Sequence, residues 1–237
     1  MRLRRVFSRL KSAQPAECDL SGGFSRRFLL GRKKLTVKVY SIDGVTPVVD
    51  PSAYVHPTAV LIGDVFIGPD CYIGPCASIR ADFGQFTMGR GSNFQDNCTS
   101  HSFAGGDVHL GEYCNIGHGA VLHGCTLHDR VLVGMNAVVM DGAEIHDYTL
   151  VAALSFVPAA MELPSGVVAA GAPAKVLRDL TDKERQWMAD GNQDYVNLTA
   201  RCLETMEETD ALTEIDPTGP RLAIEGSKPL YMAREDG

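Results

Sequence analysis

Three histidines, His101, His118 and His123, crowd into one stretch of small and aliphatic residues that includes "NIGHGAVLHGC". Three imidazoles are the ligand set of catalytic Zn2+, where a fourth position stays open and the pKa of water held there falls to about 7. Read from the residues alone, two possibilities stand: ligands of a catalytic metal, or hydrogen-bonded turn residues. His56, His109, His128 and His146 lack such company and read as surface residues. Just upstream, "SIRADFGQF" supplies Arg80 and Asp82, and "GSNFQDNCTSH" supplies Asn93, Gln95 and Asp96. The spacing of Gln95–Asp96 from Arg80 predicts that they lie on neighbouring rungs of a repeat and could meet. An arginine with two aspartates suits a partly buried ion pair that holds subunits in alignment, and Gln95 suits a donor to a metal-bound oxygen.

The repeat that must position these groups has a period of six. Aliphatic residues recur at Ile67, Ile73 and Ile79, then in a second frame at Leu110, Ile116 and Leu122. A third frame runs unbroken through Leu127, Val133, Val139, Ile145, Val151, Val157 and Leu163. Six excludes a heptad helix, and the density of Gly, Val and Ile argues for short strands joined by tight turns. The prediction is an all-β solenoid in which three hexads form one triangular coil of about 18 residues, each burying its aliphatic residue in a thin core.

On that prism His101 and His118, close to one full coil apart, are expected on the same face of adjacent rungs. His123 is expected on the next face, about 120° round from His118 for a three-sided coil. Outward side chains on different faces diverge, so one metal collects all three only if some come from a neighbouring solenoid. Two frame breaks, at Asp82–Thr87 and around Ser102–His109, bracket the histidines and mark loops where a site would be built. The repeat stops at Gly171-Ala172-Pro173, and a helix is predicted over about 180–209, with Thr181 and Glu184 forming a capping box at its start. The predicted organisation is a basic head (1–38), the solenoid with its metal site (39–179), the helix (180–209) and a flexible tail (210–237).

Charge separates the head from the rest. Residues 1–39 hold 11 Lys and Arg against Glu17 and Asp19, whereas the whole chain carries a net charge of −7. No apolar h-region follows the arginines, so the head is a poor secretory signal; it reads as disordered, as an organelle transit peptide, as a polybasic arm, or as an over-extended start with translation beginning near Leu35. No apolar run approaches the roughly 20 residues of a membrane helix. Seven cysteines without a CxxC pair predict reduced thiols and a cytoplasmic protein, with Cys71 and Cys76 as small buried hydrophobes.

The motifs "SIRADFG", "NFQDNC…H", "IGHGAVLHGC", "VGMNAVVMDGA" and "GAPAKVLRDL" resemble the γ-class carbonic anhydrases, and most closely the branch of carnitine-operon and phenylacetate-degradation hexapeptide proteins. The resemblance runs from about Val39 to Leu212. It implies a left-handed parallel β-helix with a C-terminal α-helix, assembled as a homotrimer with one metal at each subunit interface. It further implies Zn2+ (Fe or Co being possible) on His101, His118 and His123, with His118 from one subunit and the other two from its neighbour. Arg80 and Asp82 are then an interface pair with Asp96, and Gln95 and Tyr195 lie near the metal-bound water.

Two departures shape the expected reaction. The family's glutamate after the Arg-x-Asp motif is Phe83 here, and the proton-shuttling loop, "SFAGGDVH", offers only Asp107. Both departures remove the proton exit that rapid CO2 hydration requires; the resemblance to the phenylacetate branch implies instead a hydrolase of acyl-CoA thioesters in which a metal-bound hydroxide attacks the carbonyl, with CO2 hydration at the same site as the first alternative. Acyl transfer from acetyl-CoA and a non-catalytic trimeric accessory protein are the others. Expected partners are copies of the chain and a small molecule, an acyl-CoA or CO2/bicarbonate, with neither nucleic acid nor membrane.

Overall fold

Each hexad places two side chains inside the protein, the aliphatic residue and the one two positions before it, because side chains alternate along an extended chain. The first series includes Leu61, Ile73, Ile79, Leu110, Ile116, Leu122, Leu127 and Ile145, all fully buried. The second is mostly small: Ala59, Ala77, Ala120, Ala137 and Ala143, with Cys71, Cys98, Cys114 and Cys125 in the same role. Those four thiols are inert hydrophobes, with burial pushing Cys98 up to about 11 and the other three up to about 12. Cys76 departs from the expectation: it is exposed, at a turn position with φ of 58°.

The computed structural model describes residues 37–224 and 226–235 of the chain. The expectations attached to the basic head lie outside the described residues, apart from its last two positions. The architecture is a parallel β-solenoid of about seven turns, the left-handed β-helix of hexapeptide repeats, closed by a C-terminal helix. Its first face stacks Tyr54–Val55, Tyr72–Ile73, Asn93–Phe94, Asn115–Ile116, Leu132–Val133, Leu150–Val151 and Val167–Gly171. The second face carries Thr99–His101, Val121–His123, Val138–Val139 and Phe156–Val157, and the third carries Val108–Leu110, Thr126–Leu127, Glu144–Ile145 and Glu162–Leu163. Val60–Ile67 and Ser78–Met88 run through the corner between the second and third faces. One continuous apolar cluster fills the prism from Ala53 to Ala174.

The two predicted breaks lengthen the coil and lie on one another. Leu132 pairs with Leu150 across one regular coil, but Ser78 pairs with Thr99, and Thr99 with Val121, so these two coils are each a few residues longer. The Gly105 amide donates to Phe83 O at 3.1 Å, and the Gln85 amide donates to Asp107 Oδ1 at 2.8 Å. At Gly84 a Cβ would stand 1.8 Å from the Gly106 carbonyl oxygen, so the two breaks stack only because this residue has no side chain.

The helix, α1, spans Asp182–Thr205, shorter at both ends than expected from composition. Its capping box forms as predicted: the Glu184 amide donates to Thr181 Oγ1 and the Thr181 amide to Glu184 Oε2. α1 covers the first face, with Tyr195, Leu198 and Cys202 against Tyr54 and Tyr72, and Trp187 and Met188 against Leu132, Leu150, Val168 and Leu180. Among its described residues the tail has no regular element before a short helix, α2 (Leu230–Glu235), and it is tied back to α1. Trp187 Nε1 donates to Lys228 O at 3.0 Å, and the Ser227 amide donates to Asp194 Oδ2 at 2.8 Å. Among the described residues no helix is long and apolar enough to cross a membrane.

Candidate metal centre

The long coils decide which histidines meet. Thr99–His101 pairs with Val121–His123 so that His101 sits beside His123, not His118, and their ring centroids are 5.4 Å apart with an edge-on tilt of 65°. The expectation that His101 and His118 share a face is thus corrected: the break at 102–107 lengthens the coil, so a spacing that nearly closes a regular coil falls short of a full turn there. His118 instead lies over Asp96, at the corner between the first and second faces, with its Nδ1 3.0 Å from Asp96 Oδ2. His123 ends a strand of the second face, as expected, but His118 sits in the turn before that strand rather than on the preceding face.

Each of the three imidazoles has one aspartate partner. His101 Nε2 lies 2.9 Å from Asp82 Oδ1, and His123 Nδ1 bonds to Asp141 Oδ1. Arg80 Nη1 donates to both oxygens of Asp82, at 3.0 and 2.9 Å. Burial raises the Asp82 carboxyl, but the hydrogen bonds from Arg80 and His101 together outweigh it and hold the group below the usual carboxylate range. Arg80 does not meet Gln95 or Asp96 within the chain, contrary to the spacing argument, because in a lengthened coil the same spacing ends a corner short of it. Asp141 was not among the predicted residues. It follows His123 by one ordinary coil, and that spacing is the signal that could have found it.

Gln95, expected to orient a nucleophile, is buried and fully engaged. Its Nε2 donates to Asn93 Oδ1 at 2.9 Å and Asn115 Oδ1 at 2.7 Å, while its Oε1 accepts from the His118 amide at 3.2 Å. It fixes the turn that carries His118. Tyr195 reaches the same corner from α1, packed on Tyr72 at 5.3 Å. Burial and then the Asp96 charge push its phenol up to about 12, so it stays protonated at neutral pH.

The breaks give the histidine pair an apolar rim. Phe83, 57% exposed, tilts over His101 with centroids 5.4 Å apart, and Phe103, 47% exposed, packs beside Gly106 and Gly124. Asp107, the one acidic residue of the second break, is the acceptor for the Gln85 amide. Of the histidines read as isolated, His56 bonds Thr58 and His109 bonds Thr87. His128 and His146 do have company, which corrects that reading: they stack on each other on the third face.

No family model matches the sequence. The carnitine operon protein CaiE of Salmonella agona is 46% identical over 183 residues, covering 77% of this chain and 92% of that one. CaiE of Escherichia coli K12 is 44% identical over 183 residues, with 77% and 93% covered. Among solved structures, a hexapeptide transferase family protein from Anaplasma phagocytophilum matches with a TM-score of 0.66 at 35% identity, covering 68% of this chain and 96% of that chain. A putative acetyltransferase from Bacillus cereus matches with a TM-score of 0.69 at 30% identity, covering 70% and 96%.

Proposed function

The chain belongs to the family of the carnitine operon protein CaiE, γ-carbonic-anhydrase-like hexapeptide-repeat proteins, and from that premise we propose that it is a homotrimeric, zinc-dependent hydrolase of acyl-CoA thioesters. The observation that carries the substrate class is the rim of the histidine pair. Phe83 stands where the γ-class carbonic anhydrases place a glutamate, Phe103 joins it, and Asp107 is held by a backbone amide. Such a rim suits an acyl group, and the loop's one carboxylate, Asp107, is tied through Oδ1 to the Gln85 amide.

The donor set fits a divalent metal. His101 and His123 present their rings from adjacent rungs; the aspartates on Nδ1 of His118 and His123 leave Nε2 of both for coordination, whereas Asp82 on Nε2 of His101 leaves that ring its Nδ1. In the proposed trimer, His101 and His123 of one subunit and His118 of the next would hold Zn2+, with Fe2+ or Co2+ as substitutes. A metal held there would supply Lewis acidity toward a carbonyl and lower the pKa of water to about 7.

The chain's own groups do the rest. Asp82, Asp96 and Asp141 fix the tautomer and tilt of the imidazoles, Gln95 holds the His118 turn, and Tyr195 offers a phenolic proton beside Asp96. Phe83 and Phe103 keep water from the acyl side. Trimer formation is supported by the second face, which no helix covers among the described residues and whose edge exposes Met135, Leu154 and Phe156.

The test is the metal content of the purified protein, followed by paired assays of acyl-CoA hydrolysis and CO2 hydration. Stoichiometric zinc and hydrolysis lost on chelation are expected; fast CO2 hydration would replace the thioesterase by an anhydrase. A His118→Ala protein that remained trimeric, metal-free and fully active would overturn the catalytic metal. Acyl transfer is the second reading, favoured by the transferase and acetyltransferase names of the solved structures described above. Activity with acetyl-CoA and an acceptor that survives chelation would put it first.

A further inference from the structure

The third face carries a cluster that the proposed reaction does not use. Glu144 and His146 flank the inward Ile145, so both point outward from one strand end. His146 lies one regular coil after His128, and Glu162 one regular coil after Glu144. Adjacent rungs lie about 4.8 Å apart, so equal positions come into contact. The His128 and His146 rings stack with centroids 4.7 Å apart at 13°. His128 Nε2 is 2.8 Å from Glu144 Oε1, and His146 Nε2 is 3.0 Å from Glu162 Oε1.

We propose that His128, Glu144 and His146 form a second metal site, for a divalent transition-metal ion, on the third face of the solenoid. Among the described residues these three are the one group whose possible ligand atoms all lie within 4.8 Å of one another. Two imidazoles and a carboxylate suit Zn2+, Ni2+ or Cu2+ rather than Mg2+ or Ca2+, which prefer oxygen alone. Metal–ligand distances of about 2.0–2.2 Å put donors around one ion roughly 3 Å apart. His128 and Glu144 already meet that spacing, and rotation of the partly exposed His146 brings its ring in. Glu162, bonded to His146, lies outside that group of three. An ion here joins consecutive coils through side chains that otherwise meet by ring stacking and hydrogen bonds.

The experiment is calorimetric titration of the chelator-treated full-length protein with ZnCl2 and NiCl2. The double variant His128→Asn/His146→Asn is expected to bind one equivalent fewer per chain than the wild type. The triple variant His101→Asn/His118→Asn/His123→Asn is expected to keep that equivalent, so this result stands apart from the fate of the catalytic site. Glu144→Gln should weaken the same equivalent about tenfold or more. These side chains lie at the surface, and unchanged circular dichroism verifies folding of each variant. Equal stoichiometry in the wild type and the folded double variant would overturn the proposal, as would unaltered affinity in Glu144→Gln.

Discussion

The coils from Leu127 to Leu163 and those from Ser78 to His123 obey the same hexad rule, yet only the second group gathers an apolar-rimmed histidine pair with its aspartates. In the regular coils every third strand returns to the same face in constant register, and outward residues simply stack on their own equivalents. His128 on His146 and Glu144 on Glu162 are the products of that regularity. In the interrupted coils the extra residues of two breaks change which positions coincide. His101 then meets His123, His118 meets Asp96, and two phenylalanines enter the rim. A regular solenoid repeats one outward neighbourhood from coil to coil; an interrupted one adds loop residues and shifts which neighbourhoods meet, so His101 and His123 acquire a rim that the regular coils lack.

The comparison can be broken most severely at His123. His123→Ala is expected to abolish acyl-CoA hydrolysis and metal retention at the histidine pair, read by turnover and elemental analysis, while the regular coils keep their circular dichroism. Ile145→Ala should do the reverse. Loss of a fully buried side chain costs about 2–5 kcal/mol in urea unfolding, with the metal content of the folded protein unchanged.

Asp141→Asn sharpens the contrast, because the residue sits in a regular coil but serves the interrupted one. Metal affinity should fall about 10–100-fold, as for other carboxylates that orient a ligating histidine, with little change in urea midpoint. A pH series isolates Asp82. Its folded-state pKa is depressed, so its stabilising contribution is complete above the unfolded value of about 3.9 and is lost as pH falls through the lower folded value. The stability gap between the wild type and Asp82→Asn should therefore be constant above about pH 5 and close below about pH 4.

The smallest effect is expected at Ser100. It occupies the inward place taken by Ile79 and Leu122 on the rungs beside it, and its buried hydroxyl has no partner among the described residues. Ser100→Ala should raise stability by about 1 kcal/mol, by removing an unsatisfied polar group. A lower melting temperature would show that the hydroxyl has a role in the interrupted coil.

Much of the fold is written in the sequence. The inward aliphatics from Leu127 to Leu163, the stop at Gly171-Ala172-Pro173 and the Thr181–Glu184 box are local signals, each read from near neighbours in the chain. The histidine set was legible as residue types and as a motif resemblance. Its pairing was not, because counting along the chain assumes a fixed coil length that the 82–87 and 102–107 breaks alter. Cys76 was misread for a related reason: its place at a turn with positive φ depends on where the hexad frame falls, not on its chemistry. The stacked His128–His146 pair was legible in principle, since one regular coil separates them within an unbroken frame.

What the sequence determines by itself is the architecture, since a six-residue period of buried aliphatics has one economical solution: short parallel strands wound around a shared apolar core. What only the tertiary structure decides is the company each outward side chain keeps. Contacts across rungs depend on the residue count of every intervening turn, and an insertion of a few residues displaces all later positions by a corner. The aspartate on each imidazole, the edge-on meeting of His101 with His123 and the engagement of Gln95 with the His118 turn follow from that count, so they come into being only when the chain is wound.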